Sequence, residues 1–320
     1  MLTNKMLSAV VVCYRDEGNI PALYERLSKA LAEVTPNWET IYVNDASPDR
    51  SEDILRELAH KDPHLTVIIQ SRNFGAQAAF TAGMEQTLGD AVILLDGDLQ
   101  DPPEIIPQFV EKWLQGWEVV YGVRRRREQS MGKLNEWLYH QFYVLFNKLS
   151  YMKVPIDAGE FSLIDRKAVE WMNALPERDR LLRGLRAWVG FKQTGVEYVR
   201  PERFWGKSTN SFWKNLRWAK RAIFSFSYLP LEWISFIALL VTGIAALAIL
   251  VYVILALFYP APHGFLTTLV VILFLGAIQL LSLGVIAEYL AKILEEVKQR
   301  PRSIAREIIN DHRKHPTSSS

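Results

Sequence analysis

The chain has 320 residues, of which 49% are hydrophobic, and its formal net charge is +2. This length allows two domains, or one domain with a membrane part. The single cysteine, Cys13, excludes an intrachain disulfide and fits a reducing compartment. No signal peptide is predicted, because the first apolar stretch is short and runs directly into the charged sequence YRDEGN.

Strands and helices are predicted to alternate over residues 7–123. The predicted strands are LSAVVVCY, WETIYVND, LTVIIQ, DAVILLD and WEVVYGV. The predicted helices are NIPALYERLSKALAEV with Asn19 as its N-cap, the segment from Ser51 onward, AQAAFTAGMEQTL and PEIIPQFVEKWLQG. This alternation predicts an α/β fold of the Rossmann-like kind, with a mostly parallel sheet covered on both faces. Ligands bind such a sheet outside the carboxyl ends of its strands.

Two amphipathic segments follow, at 131–149 and at 210–228. The second carries Lys214, Arg217 and Arg221 mostly opposite its apolar stripe, which favours a membrane interface. For the first, core packing and an interface remain equal alternatives.

Two uncharged apolar segments predict membrane spans. Trp233–Tyr259 has 27 residues and Phe265–Ala287 has 23, and a helix of about 20 apolar residues crosses the hydrocarbon core. The alternative is a buried hairpin in a large soluble core. Cations before the first span and after the second predict that both termini and the catalytic part are cytosolic, in an inner or plasma membrane.

Acidic and cationic residues follow the predicted strands. The sequence LLDGDLQDPPE places four carboxylates within nine residues, and like charges this close need solvent, hydrogen bonds or a cation. Asp96 and Asp98 point the same way at a strand end, and Gly97 between them permits a close approach. This pair predicts a site for Mg²⁺ or Mn²⁺ that stabilises a departing diphosphate, with a solvated acidic turn as the alternative.

These motifs together resemble family-2-type glycosyltransferases with a GT-A fold. The resemblance covers about residues 1–230 and is greatest to polyprenyl-phosphate glycosyltransferases, which include dolichol-phosphate mannose synthases and bacterial undecaprenyl-phosphate sugar transferases. The two C-terminal spans are similar to a bacterial branch linked to O-antigen glucosylation in the cell envelope. The resemblance implies a membrane enzyme that moves a hexose from a nucleotide sugar to a polyprenyl phosphate.

The resemblance also assigns residues to the nucleotide sugar. It implies that Tyr14 and Glu17 hold the nucleoside, and that Asp45 contacts base and ribose. Asn44 and Ala46 depart from the family pattern DDGS-D at this place. It further implies a metal at Asp96 and Asp98. The remaining donor residues that it implies are Gln100 beside the metal pair and Arg124, which faces phosphates and opens the basic run 124–127.

The acceptor phosphate is assigned to a second group of residues. RFWGKS at 203–208 resembles the family element Arg-x-x-Gly-x-Ser, which implies roles for Arg203, Lys207 and Ser208, and Arg127 is added from the basic run. Attraction of these cations to anionic lipid headgroups is the alternative. Asp157, in DAGEF, resembles an acidic element near the acceptor and is expected to orient it or to act as base. His140 and His263 are expected to be structural or interfacial.

The expected function is inverting transfer of a hexose, with UDP-glucose as the best candidate donor, to undecaprenyl or another polyprenyl phosphate. A processive polysaccharide synthase, an amino-arabinose derivative or GDP-mannose as donor, and a non-enzymatic scaffold are the alternatives. The expected partners are nucleotide sugar, lipid phosphate, the bilayer and a second copy of the chain, without nucleic acid. Gly276, Gly284 and Gln279 are expected to form an association face, and the resemblance suggests a homotetramer.

The expected organisation has four parts: a GT-A domain at 1–200, an interfacial segment at 201–230, two transmembrane helices at 231–290, and a basic cytosolic tail at 291–320.

Overall fold

A computed structural model describes residues 1–124, 158–201, 229–258 and 264–313. The chain divides into two compact units. The first comprises Met1–Leu145, Met152–Ser211 and Arg300–Ser320, and the second comprises Phe146–Tyr151 and Phe212–Gln299.

The first unit is built on a mixed, mostly parallel sheet. Its strands are β1 (Leu7–Cys13), β2 (Trp38–Asn44), β3 (Leu65–Gln70), β4 (Ala91–Asp96), β5 (Val119–Arg124), β6 (Ala158–Asp165), β7 (Gln193–Tyr198) and β8 (Ala305–Ile309). Their order is β7-β5-β6-β4-β1-β2-β3-β8. Strand β6 runs antiparallel to β4 and β5, and β8 runs antiparallel to β3, while the other pairs are parallel. The predicted α/β fold class is confirmed.

Helices connect and cover these strands. They are α1 (Ile20–Val34), α2 (Ser51–Lys61), α3 (Ala76–Gln86), α4 (Ile106–Leu114), α5 (Arg166–Ala174) and α6 (Leu182–Trp188), with a 3-10 turn at Pro103–Ile105. The five strands and four helices predicted over 7–123 are confirmed. All seven residues of β1 are buried, as expected for a central parallel strand covered on both faces.

Helix α1 illustrates how the sequence determines its local structure. Ile20, Leu23, Leu27 and Leu31 recur at helical spacing and are all fully buried against the sheet. Asn19 occupies the predicted N-cap position, but its side chain does not cap the helix. Its amide instead donates to Asp16 Oδ1 at 3.1 Å, so it secures the loop that follows β1.

The second unit contains two long apolar helices, α7 (Leu229–Phe258) and α8 (Phe265–Lys298). Both are long and apolar enough to cross a membrane, with windows of mean hydropathy 2.0 and 1.7. Leu239 is 78% exposed and Leu280 is 73% exposed. The alternative of a buried soluble hairpin is therefore wrong, because no part of either window is buried.

Residues 291–313 contain the end of α8 and strand β8. Helix α8 continues to Lys298, and it ends where Gln299 adopts a left-handed φ of 47° with Pro301 close behind. The chain then pairs with the edge of the sheet, where Ile308 lies opposite Ile68 in the β8–β3 ladder. A short strand with exposed, charged residues carries a weak sequence signal, and its partner is far away along the chain.

Side chains fasten β8 to the first unit. Arg56 makes two hydrogen bonds to the Glu307 carboxylate, and Arg306 makes two to Glu52. The Asn310 amide donates to the carbonyl oxygens of Ala59 and Leu65 at 2.8 and 3.0 Å. The chain that leaves the last apolar helix is thus part of the folded sheet unit.

Candidate active site

Three neighbouring parallel strands, β4, β1 and β2, end at the same edge of the sheet. A non-glycine residue with a left-handed backbone follows each of them: Leu99 (φ 57°), Arg15 (φ 63°) and Ala46 (φ 51°). Such conformations are unfavourable for side chains with a Cβ atom and concentrate at functional sites. The backbone therefore marks the edge that the sequence predicted.

The loops after β1 and β2 are tied to each other. The backbone N–H of Arg15 donates to Ser47 Oγ at 2.7 Å. Glu17 accepts the N–H of Arg50 at 2.9 Å and donates its own N–H to Asp49 at 3.2 Å. Tyr14 is 38% exposed beside them. Of the two predicted nucleoside residues, Tyr14 is thus open to a ligand, whereas Glu17 helps to fix the loop.

Asp45 fixes the loop that follows β3. Its two carboxylate oxygens accept the backbone N–H groups of Phe74 and Gly75 at 2.7 and 2.9 Å. Burial raises the pKa of Asp45, although these two hydrogen bonds act in the opposite direction. The predicted base-contacting acid therefore shapes the edge of the site through the segment that precedes α3.

We expect Ala46→Gly to stabilise the protein. A left-handed alanine costs about 1 kcal/mol relative to glycine, and the related pattern DDGS-D has glycine at this place. The expected rise in Tm is about 2–4 °C for a domain of this size. Ala32→Gly, at an exposed position inside α1, is the control and should lower Tm, since glycine weakens a helix interior. An unchanged or lower Tm for Ala46→Gly would contradict the strain assignment.

The four carboxylates of the acidic stretch have separate surroundings. Asp96 ends β4, and Asp98 lies two residues later with its Oδ1 accepting the N–H of Gln100 at 3.2 Å. Glu104 lies on the surface, where both oxygens accept hydrogen bonds from Arg26 at 2.7 and 2.8 Å. Asp101 is fully buried. Only Asp96 and Asp98 therefore remain as the candidate metal pair.

Gly97 allows this pair to approach the neighbouring strand. A Cβ atom at Gly97 would lie 2.8 Å from the carbonyl oxygen of Val12 and 3.0 Å from Asp16 Oδ2. Any larger residue would push β4 away from the end of β1. The predicted need for glycine between the two acids thus has a steric cause.

Arg124 and Asp101 are joined by a tyrosine. The Tyr198 hydroxyl donates to Asp101 Oδ1 at 2.6 Å and accepts from Arg124 Nε at 3.3 Å. Burial acts against the charged form of Arg124, but the negative charges of Asp101 and Asp96 and the hydrogen bond to the Tyr198 hydroxyl outweigh it and raise its pKa. Asp101 Oδ2 is buried and has no hydrogen-bond partner among the described residues. The predicted phosphate-binding arginine is thus also an internal counter-charge to the acidic loop.

The end of β7 contacts the same loop at two further points. Arg200 Nη2 lies 3.8 Å from Asp98 Oδ2, and the Gln100 amide donates to the carbonyl oxygen of Pro201 at 3.3 Å. Arg200 and Tyr198 were not among the site residues predicted from the sequence, because no strand was predicted at β7. Their two-residue spacing in EYVRP would have placed both on one face if that strand had been recognised.

Electrostatics at Asp96 favour a cation. Burial is the main cause that raises the pKa of Asp96 to about 8, and the charges of Asp101, Asp98 and Glu160 raise it further while Arg124 lowers it. No three His, Cys, Asp or Glu side chains within the described parts of the chain form a complete metal-ligand group. Two carboxylates fit Mg²⁺ or Mn²⁺ nevertheless, because these ions commonly take remaining ligands from water and phosphate oxygens.

We expect the stability effect of Asp96→Asn to depend on pH when a chelator is present. A folded-state pKa near 8, above the usual 3.8, means that the folded protein binds the extra proton, so its stability falls as pH rises from about 4 to 8. Asparagine cannot ionise and escapes this loss. In thermal unfolding, the Tm of the variant relative to that of the parent should rise by several degrees between pH 5 and pH 8. A difference in Tm that does not change with pH would contradict this electrostatic description.

Several predicted site residues lie outside the described parts of the chain. They are Arg127, Asp157, Arg203, Lys207 and Ser208, together with His140, His263 and the amphipathic segments at 131–149 and 210–228. Their assignments stay predictions.

The α/β sheet with an acidic pair at its carboxyl edge, followed by two apolar helices, places the protein among the membrane-associated glycosyltransferases. The chain belongs to glycosyl transferase family 2, whose model matches residues 8–171.

Relatives match over nearly the whole chain. The uncharacterized glycosyltransferase YkcC of Bacillus subtilis is 41% identical over 92% of this chain and 91% of its own length. The SfII prophage-derived bactoprenol glucosyl transferase of Shigella flexneri is 39% identical over 97% of this chain and 99% of its own length. Among solved structures, glucosyl-3-phosphoglycerate synthase from Mycobacterium tuberculosis with Mn²⁺ and UDP has a TM-score of 0.44 at 20% identity, covering 68% of this chain and 77% of that chain.

Proposed function

We propose that the protein transfers a glucosyl unit from UDP-glucose to a polyprenyl phosphate, with inversion at the anomeric carbon. The observation that carries this proposal is the 39% identity to a bactoprenol glucosyl transferase, which extends over 97% of this chain and includes both the sheet unit and the two apolar helices. Bactoprenol is a polyprenyl carrier, and apolar helices suit an enzyme whose acceptor resides in a bilayer.

Asp96 and Asp98 are the residues proposed to hold Mg²⁺ or Mn²⁺. A bound divalent cation would stabilise the negative charge that develops on the departing UDP. Arg124 and Arg200 lie against the acidic loop and add positive charge on the same side. Tyr14, Glu17 and Asp45 are proposed to receive the nucleoside, because their loops form the adjoining part of the edge.

The proposed reaction forms one bond and breaks one. An oxygen of the lipid phosphate bonds to the anomeric carbon while the bond from that carbon to the UDP oxygen breaks, and UDP leaves with the electron pair. A phosphate monoester is anionic near neutral pH, so it needs positioning more than a strong base. Arg127, Arg203, Lys207 and Ser208 are proposed to bind this phosphate, with Asp157 orienting it or acting as base.

The proposed arrangement places the sheet unit and both termini in the cytosol. Six cations precede the first span, basic residues follow the second, and the intervening YPAPHG has none, as the positive-inside rule requires. Strand β8, which follows the second apolar helix, pairs with β3, which precedes the first, and this pairing supports the proposal that residues 1–201 and 300–313 share one side of the membrane.

We expect Gly276→Leu with Gly284→Leu to weaken self-association. The two glycines lie on α8, and a Cβ atom at either would meet nothing within 4 Å, so each leaves room for a second helix. Mass measurement in nanodiscs should show an oligomer for the parent and smaller species for the double variant. Gly243→Leu is the matched control, since it makes the same substitution on α7, outside the predicted association face. A monomeric parent would contradict the proposed oligomer.

A donor panel tests the proposed function. The purified chain in nanodiscs that contain undecaprenyl phosphate is given UDP-glucose, GDP-mannose or a UDP-linked amino-arabinose derivative, and the lipid product is identified by mass. We expect a singly glucosylated lipid phosphate from UDP-glucose. Exclusive use of another donor would refute glucose, and products with many sugar units would indicate a processive synthase instead.

A further inference from the structure

Glu160, on β6, lies in a side-chain network that the mechanism above does not use. Its Oε1 accepts hydrogen bonds from Gln77 Nε2 at 3.1 Å and from Arg183 Nε at 3.0 Å. The other end of the Gln77 amide, Oε1, accepts the N–H of Leu182 at 2.7 Å. Three elements, α3, β6 and the start of α6, thus fix one carboxylate oxygen. Glu160 is 8% exposed, which is the same fraction as Asp98.

This carboxylate lies beside the proposed diphosphate site. The last pair of the antiparallel β4–β6 ladder joins Leu94 and Ser162, and Asp96 and Glu160 each lie two residues beyond that pair on the neighbouring strands. Strand β6 is irregular between Ala158 and Ser162, and a Cβ atom at Gly159, next to Glu160, would lie 2.7 Å from Arg124 Nη2, whose guanidinium interacts with Asp96. The negative charge of Glu160 is one of the causes that raise the pKa of Asp96, which agrees with this closeness.

The second oxygen of Glu160 has no hydrogen-bond partner among the residues that the structure describes. Within the described residues both contacts of Glu160 use Oε1, and Oε2 makes no hydrogen bond although it is not fully enclosed. Glu160 also forms no three-residue metal group with the acids around it in these ranges. A carboxylate oxygen only accepts hydrogen bonds, so it suits a neutral group that donates one.

In a nucleotide diphosphate sugar, the hexose is attached to the phosphate nearest the reacting centre and therefore lies next to Asp96. We propose that Glu160 is a specificity-determining residue whose Oε2 accepts a hydrogen bond from a hydroxyl group of the transferred hexose. Gln77 and Arg183 act as positioning residues, because they hold the carboxylate in one rotamer before the sugar arrives. This inference rests on the proposed function, since it requires a hexosyl donor.

The contact predicts a selective loss of affinity in Glu160→Gln. The amide oxygen will stay at the Oε1 position, because Gln77 and Arg183 both donate there, and the NH₂ group will then face the sugar in place of an acceptor. A hydrogen bond to a charged group typically changes affinity by about tenfold to a hundredfold. Affinity for UDP itself should remain within about twofold, since UDP has no hexose.

The test is calorimetric binding of UDP and UDP-glucose to the full chain in nanodiscs without lipid acceptor, with Mn²⁺ present. We expect Glu160→Gln to bind UDP-glucose at least about tenfold more weakly than the parent and UDP equally well. Glu104→Gln is the matched control, because Glu104 also pairs with an arginine but on the exposed surface. Glu160→Gln with unchanged affinity for UDP-glucose, or with equal losses for UDP and UDP-glucose, would overturn the proposal.

Deoxyglucose donors provide a test on the parent protein alone. One of the UDP-deoxyglucoses that lack the 2-, 3-, 4- or 6-hydroxyl should bind about tenfold more weakly than UDP-glucose, and Glu160→Gln should cause no further loss with that donor. If all four bind the parent like UDP-glucose, no hydroxyl contact exists and the proposal fails, even if the variant does not fold. Failure of the proposed function differs, because the parent would then not bind UDP-glucose at all.

Discussion

Asp96→Asn and Asp98→Asn are each expected to lower glucosyl transfer by at least about a hundredfold. Loss of one group that stabilises charge on a departing oxyanion typically costs this much. Both residues lie at the end of β4, outside the hydrophobic core, so the fold should survive. The measurement is the initial rate of lipid-linked product formation at saturating UDP-glucose and Mn²⁺, with Tm recorded for each variant.

Asp53→Asn is the matched control, since Asp53 is exposed in the first turn of α2, and its rate should equal that of the parent. Excess chelator should reduce the parent to the level of the two variants. Near-normal turnover in both variants, or full activity of the parent in chelator, would contradict the proposal that Asp96 and Asp98 bind a metal ion.

Replacement of residues 229–298 by a flexible linker is expected to separate donor binding from lipid transfer. About 20 Gly and Ser residues span roughly 25 Å on average and keep β8 attached to the chain. The sheet unit should then still bind UDP within about threefold of the parent, because α/β units close their own core. Transfer to undecaprenyl phosphate should fall at least about a hundredfold, since the enzyme no longer shares the bilayer with its acceptor.

A water-soluble short-chain polyprenyl phosphate should restore part of the activity of this variant. Truncation after residue 228 is the informative control, because it also removes β8 and its contacts from Arg56 and Asn310. We therefore expect the truncated protein to unfold at a lower temperature than the linker variant. Unchanged transfer to the long-chain lipid, or a folded linker variant that cannot bind UDP, would contradict the division into two units.

The regular part of the fold was predictable because its signals are local. Continuous apolar runs such as VVV in β1 identify buried parallel strands, and the spacing of Leu23, Leu27 and Leu31 identifies α1. Strand β8 lacked such a signal, since AREII is short and partly charged. Its structure depends on pairing with β3, which is more than 200 residues away in sequence.

The candidate site was predictable where residues directly follow a strand. Asp96 and Asp98 were placed at the carboxyl edge because they end a strongly apolar segment, and the structure puts them there. The contributions of Asp101, Tyr198 and Arg200 depend on how β7 pairs with β5 and approaches the acidic loop. Glu160 required the antiparallel β4–β6 register, which no local pattern reveals.

The most direct test of glucosyl transfer to a lipid phosphate follows a label on the glucose. Membranes that contain the protein are incubated with radiolabelled UDP-glucose and Mn²⁺, then extracted with chloroform, and membranes with Asp96→Asn serve as the control. We expect label in the chloroform phase, in one lipid-linked monosaccharide, and none with the variant. Label that remains in the aqueous phase or enters an insoluble polymer would contradict glucosyl transfer to a lipid phosphate.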